Sequence, residues 1–193
     1  MKTRISHLNG KYDFESSADL CELFCTPEDE TPKYLFENGW LPTSNGEWYQ
    51  SRSSRIKISP ISSRRKYQLR KIRTCRSGDY RQIFENSKYL YDPIIEEYLD
   101  TVLSFEHEIY YFNDNIFGVL NWFGDIPYYS LVLGGKTSKE GITPLTCYYF
   151  IEQLVGTPYP YLYIGEWYEP FYYKSHYPNF EWWDGQNWNF GNT

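Results

Sequence analysis

The residues with the clearest chemical signal are cations that cluster in one part of the chain. Residues 51–81 contain eleven Lys and Arg side chains against one acidic residue, Asp79, a net charge of +10, although the whole chain carries −6. A local excess of positive charge attracts phosphate groups whatever the total charge of a protein. We therefore expect this basic segment to bind a polyanion, and RNA in particular. An ordinary solvated charged face is the alternative.

Within the basic segment, Arg64 and Arg65 are the residues best suited to specific contacts. The surrounding run SSRRKYQLRKIR contains Tyr67, Leu69 and Ile72 between its charges, so one side can pack while the other presents guanidinium groups. A guanidinium binds phosphate or carboxylate with two parallel hydrogen bonds. Arg64 and Arg65 are therefore candidate phosphate-binding residues.

The cysteines argue against a metal centre and against a disulfide framework. Four cysteines stand at positions 21, 25, 75 and 147, and Cys21 and Cys25 alone are close in sequence. Two thiolates cannot complete a tetrahedral site, so the two are weak metal candidates that would need His7 or Cys75 nearby. No apolar run of about 18 residues is present, and the first residues do not have the pattern of a secretion signal, so we expect none. We expect reduced cysteines, no metal and a cytoplasmic protein.

The chain contains 40 aromatic residues. We expect many of them to lie at the surface or to line a cleft.

The second half of the chain has regular patterns. Asp92 and Pro93 are typical of a helix start, and the turn at residues 113–115 lies between two strand-like runs. A third strand follows, then a helix capped by Thr143 and closed by Gly156, then the strand YPYLYIGEW. This order of helix, three strands, helix and strand predicts an α/β fold with a mixed sheet, as in the GNAT acyltransferase core.

The first half has weaker patterns. Residues 1–50 read as irregular and acidic, apart from a short helix from Pro32 to Asn38. Residues 49–61 read as a strand pair broken by Pro60, and residues 62–73 as a strand or short helix. With a boundary at Gly78, we predict an N-terminal lobe over residues 1–78 that carries the basic segment, and a GNAT-like core over residues 79–193.

Several short segments together resemble a known family. They are YLFENGW at 34–40, WY at 48–49, SSRR at 62–65, IE at 151–152, PYLYIGEW at 160–167, YKSHY at 173–177 and EWWDGQNW at 181–188. In this combination the sequence resembles the aminoacyl-tRNA-protein transferases of the arginyl-transferase type. The resemblance implies a GNAT-like fold and transfer of an amino acid, arginine in first place, from charged tRNA to the N-terminal amine of a protein or peptide. Aminoacyl-tRNA is then a co-substrate and no further cofactor, DNA or membrane partner is expected.

The resemblance also implies roles for individual residues. An aminoacyl ester is already activated, so the enzyme must mainly position a neutral amine and stabilise an oxyanion. We expect Glu166 to accept the amine proton, because it follows Gly165, which lets a ligand approach the backbone at an open sheet edge. A solvated strand end, or binding of the cationic end of the amino acid, are alternatives for Glu166. Glu169 and His176 are further base candidates.

Other residues are expected to bind the substrates. Lys174 stands where the family has a lysine, and would contact acceptor-end phosphates or an acidic side chain, with a surface ion pair as the alternative. The aromatic residues of the resembling segments would stack on the terminal adenine or line the pocket, or else be half core and half surface; these are Tyr161, Tyr163, Trp167, Tyr173 and Tyr177, and Tyr163 is also placed with Glu166 and Lys174 as catalytic.

The sequence also departs from the family and permits other functions. The segment between Trp167 and Lys174 is shorter than the family pattern, and Glu166 replaces an aromatic residue. An acyl-CoA-dependent GNAT enzyme is one alternative, with the glycines of LVLGGKTSKEG holding pyrophosphate, although the spacing is poor. A non-catalytic homologue is another, which holds tRNA or binds glycans on Trp182, Trp183 and Trp188.

Overall fold

The structure is a computed structural model, and it describes residues 2–5, 23–43, 45–50, 52–87, 89–113, 115–135, 142–167 and 171–191. Side chains are described in these ranges except at residues 2–5, 23, 142 and 143. The elements in chain order are β1 (Lys2–Ile5), β2 (Leu23–Thr26), α1 (Pro32–Glu37), β3 (Trp40–Pro42), β4 (Trp48–Gln50), β5 (Ser53–Lys57), α2 (Ser63–Leu69), β6 (Thr74–Cys75), α3 (Tyr80–Glu85), α4 (Pro93–Ser104), β7 (His107–Phe112), β8 (Ile116–Phe123), β9 (Ile126–Gly134), α5 (Ile142–Leu154), β10 (Tyr161–Glu166), a 3₁₀ helix (Phe171–His176), β11 (Phe180–Trp183) and β12 (Trp188–Phe190).

The fold is mixed α/β, as predicted. Its strands form a four-stranded sheet in the order β1-β2-β4-β3 and an eight-stranded sheet in the order β12-β11-β5-β10-β9-β8-β7-β6. The chain divides into two compact units: a terminal unit, Met1–Lys57 with Tyr161–Thr193, and a central unit, Ile58–Pro160. The terminal unit is made of two separate segments and the central unit of one, whereas the prediction places a single boundary at residue 78. The cause is antiparallel pairing of β5 with β10 and β11, which joins the two ends of the chain.

The central unit has helices on both faces of its strands. Alternate residues of β8, Phe117 and Val119, pack with Leu99 and Val102 of α4 and with Ile83 of α3. The opposite face packs on α5, where the Phe150 ring lies edge-on to the Phe112 ring, with 6.1 Å between their centroids. Two apolar layers over one set of strands are the physical basis of an α/β architecture.

The elements with strong local signals are confirmed. The side chain of Asp92 accepts hydrogen bonds from the backbone N–H groups of Ile94 and Ile95, and Pro93 is the first residue of α4. Strands β7 and β8 form the predicted hairpin, and Asn113 in its turn has a φ of 51°. The predicted order of helix, three strands, helix and strand is present as α4, β7, β8, β9, α5 and β10.

Other details of the prediction were wrong. Residues 1–50 hold four strands, which pair with each other rather than remaining irregular. The two strands near residues 49–61 do not pair together, because β4 pairs with β2 and β3 while β5 pairs with β10 and β11. Helix α5 begins at Ile142, before the predicted cap Thr143. Of the two alternatives predicted for residues 62–73, the short helix is present as α2. None of the helices in the described ranges is long and apolar enough to cross a membrane.

Candidate functional site

The candidate site is built around the end of β10, where the chain leaves its regular path. Gly165 has a φ of +76°, which favours glycine, and the pairing of β10 with β5 shifts register between Tyr163 and Glu166. Immediately afterwards, the N–H of Trp167 donates to the backbone oxygen of Arg52 at 2.8 Å. A bulge of this kind changes the direction of the side chains that follow it. Glycine is thus required here for backbone geometry.

The expected access to Gly165 from an open sheet edge was wrong. Strand β10 lies between β5 and β9 in the strand order and is not an edge strand. Gly165 is buried, and its carbonyl oxygen accepts a hydrogen bond from Ser54 Oγ at 2.7 Å. Glu166 is half-buried at the end of the strand. A ligand would therefore approach the Glu166 side chain and not the backbone of Gly165.

Lys174 belongs to the 3₁₀ helix and binds the same bulge. Its Nζ atom donates to the carbonyl oxygens of Ile164 and Glu166, each at 2.6 Å. Together with the bond from Ser54, three successive carbonyl groups accept hydrogen bonds from side chains. The expected contacts of Lys174 were phosphate or a surface ion pair. The structure shows that its ammonium group also binds two carbonyls of the bulge, and the expected phosphate or acidic contact stays a prediction.

Tyr163, two residues before Gly165 in β10, lies in a buried aromatic cluster. Its ring centroid is 4.6 Å from that of Phe36 and 5.9 Å from that of Trp188. Burial raises the pKa of the Tyr163 hydroxyl to about 12, although the nearby Arg55 guanidinium acts in the opposite direction. Tyr163 is therefore a neutral phenol at physiological pH, and its place in the cluster is that of a core residue.

Arg55 and Glu181 form a buried ion pair that the sequence analysis missed. Arg55 Nε donates to Glu181 Oε2 at 2.7 Å, and the guanidinium carbon lies 3.8 Å from the Tyr161 ring centroid and 3.9 Å from that of Trp188. Its Nη1 also donates to the Tyr163 hydroxyl at 3.4 Å. Tyr161 is thus occupied by a cation of the protein itself. Residues 53–56 of β5 are all buried, so no alternation along this strand distinguishes Arg55 in the sequence.

The remaining aromatic candidates differ in exposure. Trp167 is buried, with its ring centroid 5.2 Å from that of Trp182 and 5.2 Å from that of Tyr172. Tyr177 is buried as well, and its N–H donates to the backbone oxygen of Lys174 at 3.0 Å. Tyr173 is exposed. Of the five expected aromatic residues, Tyr173 is therefore the one best placed to stack on a base.

Arg64 and Arg65 lie in the central unit, in the first turn of α2. Ser62 caps this helix, since its Oγ accepts from the N–H of Arg65. Arg64 is exposed, whereas Arg65 is half-buried, with Nη1 bonded to Gln68 Oε1 at 2.9 Å and its guanidinium carbon 4.7 Å from the Tyr148 ring centroid. The side chain of Arg64 is therefore the more accessible of the two to a polyanion.

The described residues give little support to the candidates for metal binding and for an additional general base. Cys25 is buried, and burial raises the pKa of its thiol to about 11, so it is protonated at neutral pH. No group of three or more metal-ligating side chains occurs in the described ranges. Cys21 and Glu169 lie outside the described residues. His176 is exposed, and its Nδ1 lies 3.1 Å from the backbone oxygen of Tyr173.

Comparison of the chain with protein-family models and with curated protein sequences gives no match. Hypotheses about function therefore depend on the residues of this chain and on their geometry. The geometry joins segments that are far apart in the sequence, because residues 34–40, 161–167, 173–177 and 181–188 all belong to the terminal unit.

Proposed function

We propose that this protein is an aminoacyl-tRNA-dependent transferase, which moves an amino acid from charged tRNA to the N-terminal amine of a protein or peptide. Arginine is the first candidate for the transferred amino acid. The observation that carries the proposal is the bond of Lys174 to the carbonyls of Ile164 and Glu166. It unites the two segments on which the resemblance to arginyl-type transferases chiefly depends, the strand around Gly165 and the Tyr173-Lys174 pair.

The chemistry that such an enzyme needs is modest. The ester of aminoacyl-tRNA is already activated, and the attacking amine must lose a proton and lie close to the ester carbon. Glu166 follows the bulge and is half-buried, so its carboxylate is the group we assign to accept that proton. Lys174 is a positioning residue in this scheme, because its ammonium group is bound to the two carbonyls that flank Gly165.

A charged acceptor arm would be attracted by the basic segment. Arg64 is exposed on α2, and its side chain makes no ion pair or hydrogen bond with another described residue that RNA would have to displace. Each contact between a cationic side chain and a phosphate contributes about 0.7–0.9 to the magnitude of the slope of log K against log salt. Loss of one contact reduces the slope by that amount. For Arg64→Gln with Arg65→Gln we therefore expect weaker tRNA binding and a slope that falls by about 1.5. An unchanged slope would exclude both arginines from the RNA contact.

The transfer assay tests the chemical step directly. Radiolabelled arginyl-tRNA and leucyl-tRNA are incubated with the protein and with peptides that begin with Asp, Glu, Lys or Arg, and label in the peptide is counted. Glu166→Gln should lower transfer strongly and leave tRNA retention on filters unchanged. Glu97→Gln on the exposed side of α4 is the matched control for loss of one carboxylate and should leave both unchanged.

Lys174 is tested as a positioning residue by two variants. Lys174→Met removes the hydrogen bonds to Ile164 and Glu166, whereas Lys174→Arg keeps donors at a similar distance. We expect transfer to fall in the first and to recover in part in the second, with the effect on kcat larger than on KM. Equal loss in both variants would contradict a positioning role.

The other outcomes of the assay distinguish the alternatives. Retention of tRNA without transfer to any peptide would refute the enzyme and support a non-catalytic tRNA-binding protein. Absence of both signals would refute the proposal and redirect the search to acyl-CoA substrates. The idea of a glycan platform loses support from the structure, because Trp182 and Trp183 are 7% and 6% exposed and Trp188 stacks on Arg55.

A further inference from the structure

A second arginine of the terminal unit lies against two indole rings. The guanidinium carbon of Arg52 is 5.5 Å from the ring centroid of Trp167 and 5.0 Å from that of Trp182. The two indole rings are themselves 5.2 Å apart and inclined at 39°. We refer to Arg52, Trp167 and Trp182 as the arginine–indole cluster. The stacking orders the guanidinium group, so little rotamer entropy remains to be lost when it binds a partner.

The cluster contains hydrogen-bond donors without acceptors. Arg52 Nε, Trp167 Nε1 and Trp182 Nε1 are all buried, and none has a hydrogen-bond partner among the described residues. Trp167 and Trp182 are only 5% and 7% exposed. A buried donor left unpaired costs about 1–3 kcal/mol, and such groups are rare in folded proteins. Three such donors on neighbouring side chains call for an acceptor that is supplied from outside the chain.

The charge of Arg52 is also uncompensated within the described part of the chain. Arg55, three residues further along, has its charge balanced by Glu181 at 2.7 Å. No described carboxylate lies within ion-pair distance of Arg52, although its guanidinium group is likewise held by two aromatic rings. Buried charges are normally paired, and the Nε atom of the half-buried Arg52 is buried. The missing acceptor should therefore carry negative charge.

We infer that the arginine–indole cluster binds an oxyanion of the phosphate class. Arg52 offers a planar fork that matches two oxygen atoms, and the two indole N–H groups offer donors from separate residues. A tetrahedral phosphate group presents oxygens in several directions and suits donors that come from three side chains. Arg52 is half-buried while both indoles are almost fully buried. The anion therefore meets the guanidinium first.

This site does not depend on the proposed transfer reaction. It would bind a phosphate group of a nucleotide or of inorganic phosphate by the same contacts, whether or not the protein moves an amino acid. Loss of transfer activity therefore does not test this site. The test must observe the hydrogen-bond donors of the arginine–indole cluster directly.

The test uses the indole N–H signals of the ¹⁵N-labelled protein in NMR. The chain contains seven tryptophans, and Trp167→Phe and Trp182→Phe assign two of the signals. Pyrophosphate, AMP, sodium acetate and sodium chloride are titrated at constant ionic strength. We expect saturable shifts of both signals with pyrophosphate and AMP. Arg52→Gln should weaken this binding by at least tenfold and Arg52→Lys by less, because lysine keeps the charge but not the fork.

The matched control is Lys33→Gln, which removes one exposed positive charge from α1 of the same unit and should leave the binding unchanged. The indole signals of the other tryptophans show whether each variant remains folded, and Arg52→Lys decides the matter if Arg52→Gln unfolds. Three results would overturn the inference: indole signals that do not move, equal shifts with chloride, or unchanged binding in Arg52→Gln. Saturation by acetate but not by the phosphates would overturn the assignment to the phosphate class.

Discussion

Loss of one member of the Arg55–Glu181 pair should destabilise the protein more than loss of both. The pair is closed by a bond of 2.7 Å, and its side chains are 9% and 4% exposed. The rings of Tyr161 and Trp188 cover the guanidinium, with their centroids 3.8 Å and 3.9 Å from its central carbon. Water therefore cannot replace a missing partner. A single substitution leaves a buried charge without compensation.

The expected magnitudes follow from this geometry. Removing one partner of a buried ion pair costs about 3–5 kcal/mol, whereas replacing both by apolar residues is often close to neutral. We expect Arg55→Met and Glu181→Leu each to lower the free energy of unfolding by about 3–5 kcal/mol. The double variant should lose less than either single one. The coupling energy would then exceed about 3 kcal/mol, the upper end of the range found for contacting residues.

Urea unfolding measures these free energies, followed by tryptophan fluorescence and by far-ultraviolet circular dichroism to check that both report one transition. The control cycle uses Arg76 and Glu108, whose side chains are 70% and 35% exposed and whose charged atoms lie 3.4 Å apart. Exposed pairs contribute about 0–1 kcal/mol, so the coupling there should be small. Additive effects of Arg55→Met and Glu181→Leu would refute the reasoning.

Three further predictions concern single residues. Gly39→Ala should cost roughly 1–3 kcal/mol more than Gly46→Ala in urea unfolding. Both glycines have positive φ, but only a Cβ at Gly39 would collide with the indole ring of Trp183. Iodoacetamide at pH 8 should alkylate Cys75 and spare Cys25, whose pKa burial raises to about 11; equal rates by peptide mass spectrometry would contradict this. Because burial raises the pKa of Tyr163 to about 12, stability present below pH 10 should fall as the pH rises from about 10 to 12, and fall less in Tyr163→Phe.

The parts of the fold that could be predicted are those with local causes. The helix α4 begins where Asp92 caps it, and the hairpin of β7 and β8 turns at an asparagine with positive φ. These signals act within a few residues and can be read from sequence. Strands β3 and β4 have three residues each and are held by pairing with neighbours. Such strands are too short for an alternating pattern, so residues 1–50 looked irregular.

The candidate site shows the same limit. The types of residue at Glu166 and Lys174 could be selected from the sequence, but nothing near Lys174 indicates that its ammonium group binds two carbonyls of β10. Arg55 and Glu181 are separated by 126 positions, and their pairing depends on the register of β5 with β11. A bond of this kind is a tertiary property. The Arg55–Glu181 ion pair could not be predicted from the sequence, because it depends on which strands lie side by side in the folded protein.

Arg52 and Arg55 of the terminal unit have different roles: Arg55 stabilises the fold, and we infer that Arg52 binds a ligand. Arg52 and Arg55 stand three positions apart, and each guanidinium group lies against two aromatic rings. Arg55 meets a carboxylate of its own chain and so stabilises the fold. Arg52 meets none among the described residues, and the indole N–H groups beside it lack acceptors. The stacking of Arg52 on the indole rings is favourable, but the buried donors without acceptors lower stability. We infer that a phosphate group from outside supplies the charge and the acceptors, beside the bulge that carries Glu166.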